Sequence, residues 1–217
     1  HHGMLELGNS PVWKTVVGGS NTYVEAILDL IQDKRLEKVT SVERFSDHVE
    51  VNGERFDFVI IATHANNALE ILKDANSNEK AYLSDISYSK NRTTLHTDSA
   101  VLPTPTKARA SWNYSMENCK QDSNKVLVSY WMNLLMRLPG ETDYVVTLNG
   151  EIAEDKKIAE MQYEHPVFTV KALKAAEYLR SAGGERLAFA GAHLGWGFHE
   201  DGARSGVAAA KKFGAKW

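Results

Sequence analysis

The spacing of apolar residues changes several times along this chain, and each spacing predicts a different element. Residues 12–19 (Val-Trp-Lys-Thr-Val-Val-Gly-Gly) read as a short strand that ends in a glycine turn. Ser20 is placed to cap the next element, because its hydroxyl can accept from an otherwise unpaired backbone N–H. Tyr23, Ile27, Leu28, Leu30 and Ile31 recur at mostly helical spacing and predict a helix to about Asp33. Val39, Val42, Val49 and Val51 follow, with Ser46-Asp47 and Asn52-Gly53 as turn signals, and together they predict a small β-meander. Residues 56–62 are apolar except for Asp57, the pattern of a parallel strand buried on both faces. Residues 65–72 read as the helix that follows it, with a second helix over 79–86 in a polar stretch.

Strand-like pieces come next at 93–96, 108–114, 125–131 and 144–148, and residues 151–159 and 170–180 favour helix. Gly183-Gly184 ends the second of these helices. The chain closes with a short buried strand at 187–190 and a small-residue helix at 202–213. The order is helix, meander, buried strand, a long mixed excursion, then buried strand and helix. This predicts an α/β (α+β) chain in which the two buried strands share one sheet and the excursion forms a separate lobe.

Composition excludes several function classes. The 217 residues are 43% hydrophobic and 24% charged, the ordinary balance of a globular protein with a sizeable core. A net charge of −3 offers no basic face for nucleic acid. No run of about 18 apolar residues is present, so no membrane span is expected. The single Cys119 lies in a polar stretch and cannot form an internal disulfide, which fits a reducing, cytoplasmic location. No Ser has the Gly-x-Ser-x-Gly context of a hydrolase.

The richest candidate chemistry lies in the run from Arg186 to Gly214. A strand enters, glycines at 191, 195 and 197 make a compact loop, and a helix leaves from near Asp201. N–H groups at such a helix start are unpaired and partly positive, so they can meet an anionic or electron-rich ligand edge. Gly202, Ala203, Ser205 and Gly206 keep the first turns free of bulk, which suits either a flat ligand or close helix–strand packing. His193 and His199 are too oddly spaced across glycines for a common zinc site, so no metal is expected. Asp201 suits a helix cap and Glu200 the positive helix end. His199 is equally suited to acid/base chemistry, ligand contact or a structural bond. Trp112, Tyr114, Tyr130 and Trp131 suit either an aromatic substrate pocket or core packing, and Arg109 and Asn113 either substrate contacts or a solvated face.

The strand, Ala-Gly turn, glycine loop and Ser/Ala-Gly helix resemble the terminus of the flavin-containing amine oxidoreductases, the superfamily of amine oxidase, protoporphyrinogen oxidase and phytoene desaturase. Val17-Gly18-Gly19-Ser20 with Tyr23 and Leu28 resembles that family's entry into its cofactor domain. The meander with Phe58-Val-Ile-Ile-Ala-Thr63 resembles its strand pair and return strand. Together with Ala110-Ser-Trp-Asn-Tyr114 and Gly197-Phe-His-Glu-Asp-Gly202, the pattern is similar to a bacterial group of NAD/FAD-binding proteins. In that group a His-Gly-Met-Leu such as His2 to Leu5 is native sequence rather than a purification tag.

The resemblance implies FAD as cofactor, a small-molecule substrate, and hydride transfer from a substrate C–H bond to the flavin. It implies a partial FAD/NAD(P)-binding, Rossmann-like lobe at 20–63 and 186–217, and a mixed-sheet substrate lobe at 1–19 and 64–185. It puts Val39 and Val42 by the adenine, and Ala190 and Gly191 near the ribityl-pyrophosphate. Gly197, Phe198, His199, Glu200, Gly202 and Gly206 would lie along the flavin; the catalytic side chain stays open, with His199 and Trp112 as candidates. Two features depart from the family. The Gly-x-Gly-x-x-Gly unit that grips the diphosphate is absent, and Ala192 stands where many relatives carry an acid on the ribityl chain. The chain is therefore expected to be a C-terminal portion that binds flavin poorly alone, the alternative being a non-catalytic domain that keeps the fold without cofactor.

Overall fold

The computed structural model describes residues 14–116 and 127–216. Cys119, His1 to Leu5, and the beginnings of the segments at 12–19 and 125–131 lie outside those residues. Residues 14–19 carry no strand: Gly19 N–H closes a turn on the Val16 carbonyl (3.0 Å) instead. The first helix, α1 (Asn21–Leu30), starts after Ser20, but the Ser20 hydroxyl caps nothing. Its backbone is already helical (φ −65°, ψ −21°), whereas a capping side chain works from an extended residue.

Strands β1 (Val42–Arg44), β2 (Val49–Val51) and β3 (Glu54–Phe56) form the expected antiparallel meander. Its second turn is built by Asn52 (φ 50°) and Gly53 (φ 81°), the two left-handed residues that a tight hairpin needs. Next come β4 (Val59–Ile61), α2 (Ala65–Ile71) and α3 (Ser77–Asp85). Asn76 and Glu79 make a reciprocal capping box at the start of α3. The buried Glu79 also pairs with both terminal nitrogens of Arg44 (2.6 and 2.7 Å).

The excursion is a five-stranded antiparallel sheet in the order β6-β7-β8-β5-β9. Its members are β5 (Tyr88–His96), β6 (Trp112–Ser115), β7 (Leu127–Trp131), β8 (Val145–Leu148) and β9 (Lys157–Pro166), with a short α4 (Met132–Met136) after β7. The helix expected at 151–159 is absent. A single 3-10 turn at Glu154–Lys156 leads into the edge strand β9, which pairs with β5 along its whole length. The polar, locally helix-favouring residues there are overridden by that ladder and by outward-facing charge.

Helix α5 (Val170–Leu179) is capped by the Thr169 hydroxyl on Ala172 N–H (3.0 Å). It is followed by β10 (Leu187–Phe189) and α6 (His199–Lys212), which starts three residues before the expected 202. β10 pairs with β4 in parallel, Leu187 facing Val59 and Phe189 facing Ile61, so the two separated apolar runs do share a sheet. β4 is covered on one side only: Ile61 is buried while Ile60 and Phe58 are exposed, Phe58 stacking on Phe213 (4.6 Å). One apolar core joins Val42 and Ile61 to α2, α3, α5 and β10. The chain is thus of the α/β class, with a parallel pair and an antiparallel sheet. Among the described residues no helix is long and apolar enough to cross a membrane.

Candidate functional site at the carboxyl ends of the parallel strands

Ligands of open α/β sheets bind outside the carboxyl ends of the strands. Here β4 delivers Thr63 and His64 to that edge, and β10 delivers Ala190 to His193. Ala190 is buried, and its N–H donates to the Ile61 carbonyl (3.0 Å). Gly191 turns the chain at φ 150°, where a β-carbon would run into the ring of His193. Its N–H donates to Ser205 Oγ (2.9 Å), which ties the turn directly to α6.

The loop 195–198 is held from below by Asp201, which is 3% exposed. One carboxylate oxygen accepts from Trp196 N–H (3.0 Å) and Phe198 N–H (3.1 Å), and the other pairs with Arg204. A β-carbon on Gly195 would collide with that carboxylate, so the close approach requires glycine. The residue at the N-cap of α6 is Phe198, whose ring carries no oxygen; Asp201 takes the Phe198 N–H, and among the described residues the first-turn N–H groups of His199, Glu200 and Asp201 have no side-chain cap. His199 and Glu200 are exposed in the first turn, with His199 Nδ1 bonded to the Tyr23 hydroxyl of α1 (2.9 Å). A β-carbon on Gly202 would meet Ala192 at ordinary contact distance, and one on Gly206 would face open space.

Val39 and Val42 lie apart from this loop, on the meander side. The Val42 side chain is wholly in the core at 1% exposure, and Val39 packs partly against it. Any ligand contact at Val42 is therefore left to its backbone.

His193 and His64 meet at the carboxyl edge. Burial, reinforced by the neighbouring charge of His64, pushes the His193 imidazole down to about 4, so it is neutral at physiological pH. His64 lies flat on the Tyr88 ring (4.5 Å) with Nδ1 3.6 Å from the Glu164 carboxylate. Among the described residues no group of three or more His, Cys, Asp or Glu converges as metal ligands.

A second feature opens beside Phe198. Trp112, Tyr114, Val128 and Tyr130 from β6 and β7, His165 and Pro166 from β9, and Phe168, Trp196, Gly197 and Phe198 surround a cavity of 530 Å³. The register explains the grouping. Trp112 faces Tyr130 and Tyr114 faces Val128, so side chains alternating along each strand put all four on one face of the sheet. Trp131 falls on the opposite face, where its indole N–H bonds Asp143 (2.8 Å) beneath the Arg109 guanidinium. Arg109 itself pairs with Asp143 (3.1 Å), and Asn113 bonds both backbone groups of Ala110, so both serve the fold. Burial raises the Tyr130 hydroxyl above its ordinary range and keeps it a neutral phenol.

Of the residues singled out in the sequence, the structure gathers Trp112, Tyr114, Tyr130, Gly197 and Phe198 around one cavity. It sets His199 and Glu200 on the outer side of the α6 start. His165, Phe168 and Trp196 complete the cavity and carry no motif. Alternation along β9 is the signal that would have exposed His165.

No family model matches the chain, and no curated protein matches it. Among solved structures, the CLA-producing fatty acid isomerase of P. acnes superposes with a TM-score of 0.61 at 15% identity, covering 91% of this chain. The chain spans about half the length of that protein (52%), and the likeness shows the α/β fold alone.

Proposed function

We propose that this chain forms the distal wall of the FAD site, together with the substrate cavity, in a flavin-dependent oxidoreductase of the amine-oxidase type. One observation carries the reading: Gly197 and Phe198 belong both to the aromatic cavity and to the uncapped start of α6. A flat ring laid on that helix start would form one wall of the cavity.

The residues present fit such a ring. Phe198 offers no oxygen to the first-turn N–H groups, which leaves them for an electron-rich edge. Gly202 and Gly206 present no side chain, and His193 stays uncharged beside the turn. Bound there, FAD would accept a hydride from a substrate C–H bond and pass the electrons to molecular oxygen or another acceptor. The chain's own part is positioning. The rings of Trp112, Tyr130, Phe168 and Trp196 exclude water from the substrate, Asp201 fixes the loop 196–198, and Tyr23 fixes His199.

The diphosphate grip is assigned to the rest of a longer protein, since Gly191 N–H is spent on Ser205 and no Gly-x-Gly-x-x-Gly is present. A cytoplasmic location is part of the same proposal. The full-length gene product should purify yellow, with flavin released on denaturation. A colourless full-length protein that takes up no added FAD would contradict the proposal and favour a non-catalytic domain.

A further inference from the structure

The cavity carries information about its ligand in one hydrogen-bond chain. It begins at a backbone donor whose direction is not in question: Arg92 N–H donates to Asn149 Oδ1 (3.1 Å). The Asn149 amide nitrogen must then be the donor to Asn91 Oδ1 (2.8 Å). That leaves the Asn91 nitrogen facing His165 Nδ1 at 3.0 Å, an orientation also required by its bond to the Ser89 carbonyl (3.1 Å). An amide nitrogen only donates, so His165 Nδ1 accepts, and the neutral ring carries its proton on Nε2. Nε2 has no hydrogen-bond partner among the described residues, and His165 lines the cavity.

Among the described residues the remaining lining is aromatic or apolar, with no Lys, Arg, Asp or Glu in it. The Tyr114 and Tyr130 hydroxyls can rotate between donating and accepting. His165 differs because its donor is set by two asparagines. A lining without a cation offers nothing to offset desolvation of a carboxylate, and one without a carboxylate leaves an ammonium to ring faces alone.

Resting on the reading of this cavity as the substrate site, we infer that it takes a neutral, largely apolar molecule bearing one hydrogen-bond acceptor oxygen. A carbonyl is the type case, and its oxygen is received by Nε2–H of His165. Asn91 is a positioning residue that acts through His165 by fixing the tautomer. A volume of 530 Å³ suits a ligand of at least two fused rings, within the ordinary range of small-molecule pockets.

The test uses the purified chain and follows quenching of Trp112 and Trp196 fluorescence by four naphthalene probes. These are methyl naphthyl ketone, its isostere isopropenylnaphthalene with the oxygen replaced by a methylene, naphthoate, and naphthylmethylammonium. The ketone should bind roughly two- to tenfold more tightly than the isostere, the worth of one neutral hydrogen bond. His165→Leu should abolish that ratio while leaving the isostere's affinity unchanged. In wild type, two-bond 1H–15N correlations should show the Nε2–H tautomer of His165, and Asn91→Leu should mix the tautomers and shrink the ratio. Equal binding of ketone and isostere, a ratio that survives His165→Leu, or an Nδ1–H tautomer would each overturn the inference. Tighter binding of naphthoate or of the ammonium would overturn its neutrality. None of these readouts needs flavin, so a colourless protein that still prefers the ketone would sink the oxidoreductase reading and leave the ligand class standing.

Discussion

The two faces of the five-stranded sheet each hold a histidine wired in the same way and used for opposite ends. On the closed face, His96 Nδ1 accepts from Asp98 N–H (3.1 Å), so its Nε2–H donates to Thr147 Oγ1 (2.8 Å), which meets Ser129 Oγ (2.9 Å). His96, Thr147 and Ser129 are all buried, and burial lowers the His96 pKa against the opposing pull of Asp98. On the open face, Asn91 fixes His165 in the same tautomer, but its Nε2–H points to a cavity instead of a partner. A buried donor must find an acceptor within the fold, whereas a donor at a cavity can wait for a ligand. The closed face therefore serves stability and the open face recognition.

The largest effect should come from breaking the closed face. Thr147→Val leaves the His96 donor without an acceptor inside the fold and should cost about 2–3 kcal/mol. The loss should appear as a lower denaturation midpoint, with the probe affinities of the open face unchanged. A Thr147→Val protein as stable as wild type would remove the distinction between the faces.

Acid should weaken the fold next, by about 2 kcal/mol between pH 7 and pH 5. His96 and His193 both have folded-state pKa values depressed by burial, His193 to about 4. The unfolded chain then takes up protons first, so stability is complete above the ordinary histidine value of about 6.5 and falls as pH drops toward about 4. Urea midpoints at neutral and mildly acidic pH read this directly, and His193→Gln should flatten the profile. A profile unaffected by His193→Gln would place the acid sensitivity elsewhere.

Smaller still is Asn91→Leu, which removes the acceptor of the Asn149 amide bond (2.8 Å) and should cost about 1 kcal/mol. His165→Leu on the open face should change stability by less than about 0.5 kcal/mol, because the ring is exposed and its role is toward a ligand. A large loss there would make His165 a structural residue like His96.

Much of the parallel half was legible in the sequence. Asn52-Gly53 specified the hairpin, and the apolar run at 56–62 and the Leu187–Phe189 strand announced a shared sheet. The antiparallel half was harder to read. β9 alternates charged and apolar residues at a sheet edge, and its leading Glu154-Asp155-Lys156 looks helical until β5 is there to pair with it. His165 lies beyond that segment, where no element was expected, and only its register with Ser89 brings it level with the cavity. Asp201 was expected to cap α6; it lies instead in the first turn of the helix, where its carboxylate takes the N–H groups of Trp196 and Phe198. The roles of Asn91 and Asn149 depend on contacts 74 and 58 residues apart, which no local pattern carries.

The most direct test of the central claim joins the cavity to the cofactor. Flavin-loaded full-length protein would be titrated with methyl naphthyl ketone while its visible flavin band is followed. If the start of α6 carries the flavin ring, filling the cavity beside Phe198 should shift that band with the same saturation curve as the quenching of Trp196. A flavin band that stays unchanged while tryptophan quenching saturates would place the cofactor away from the cavity and contradict the account.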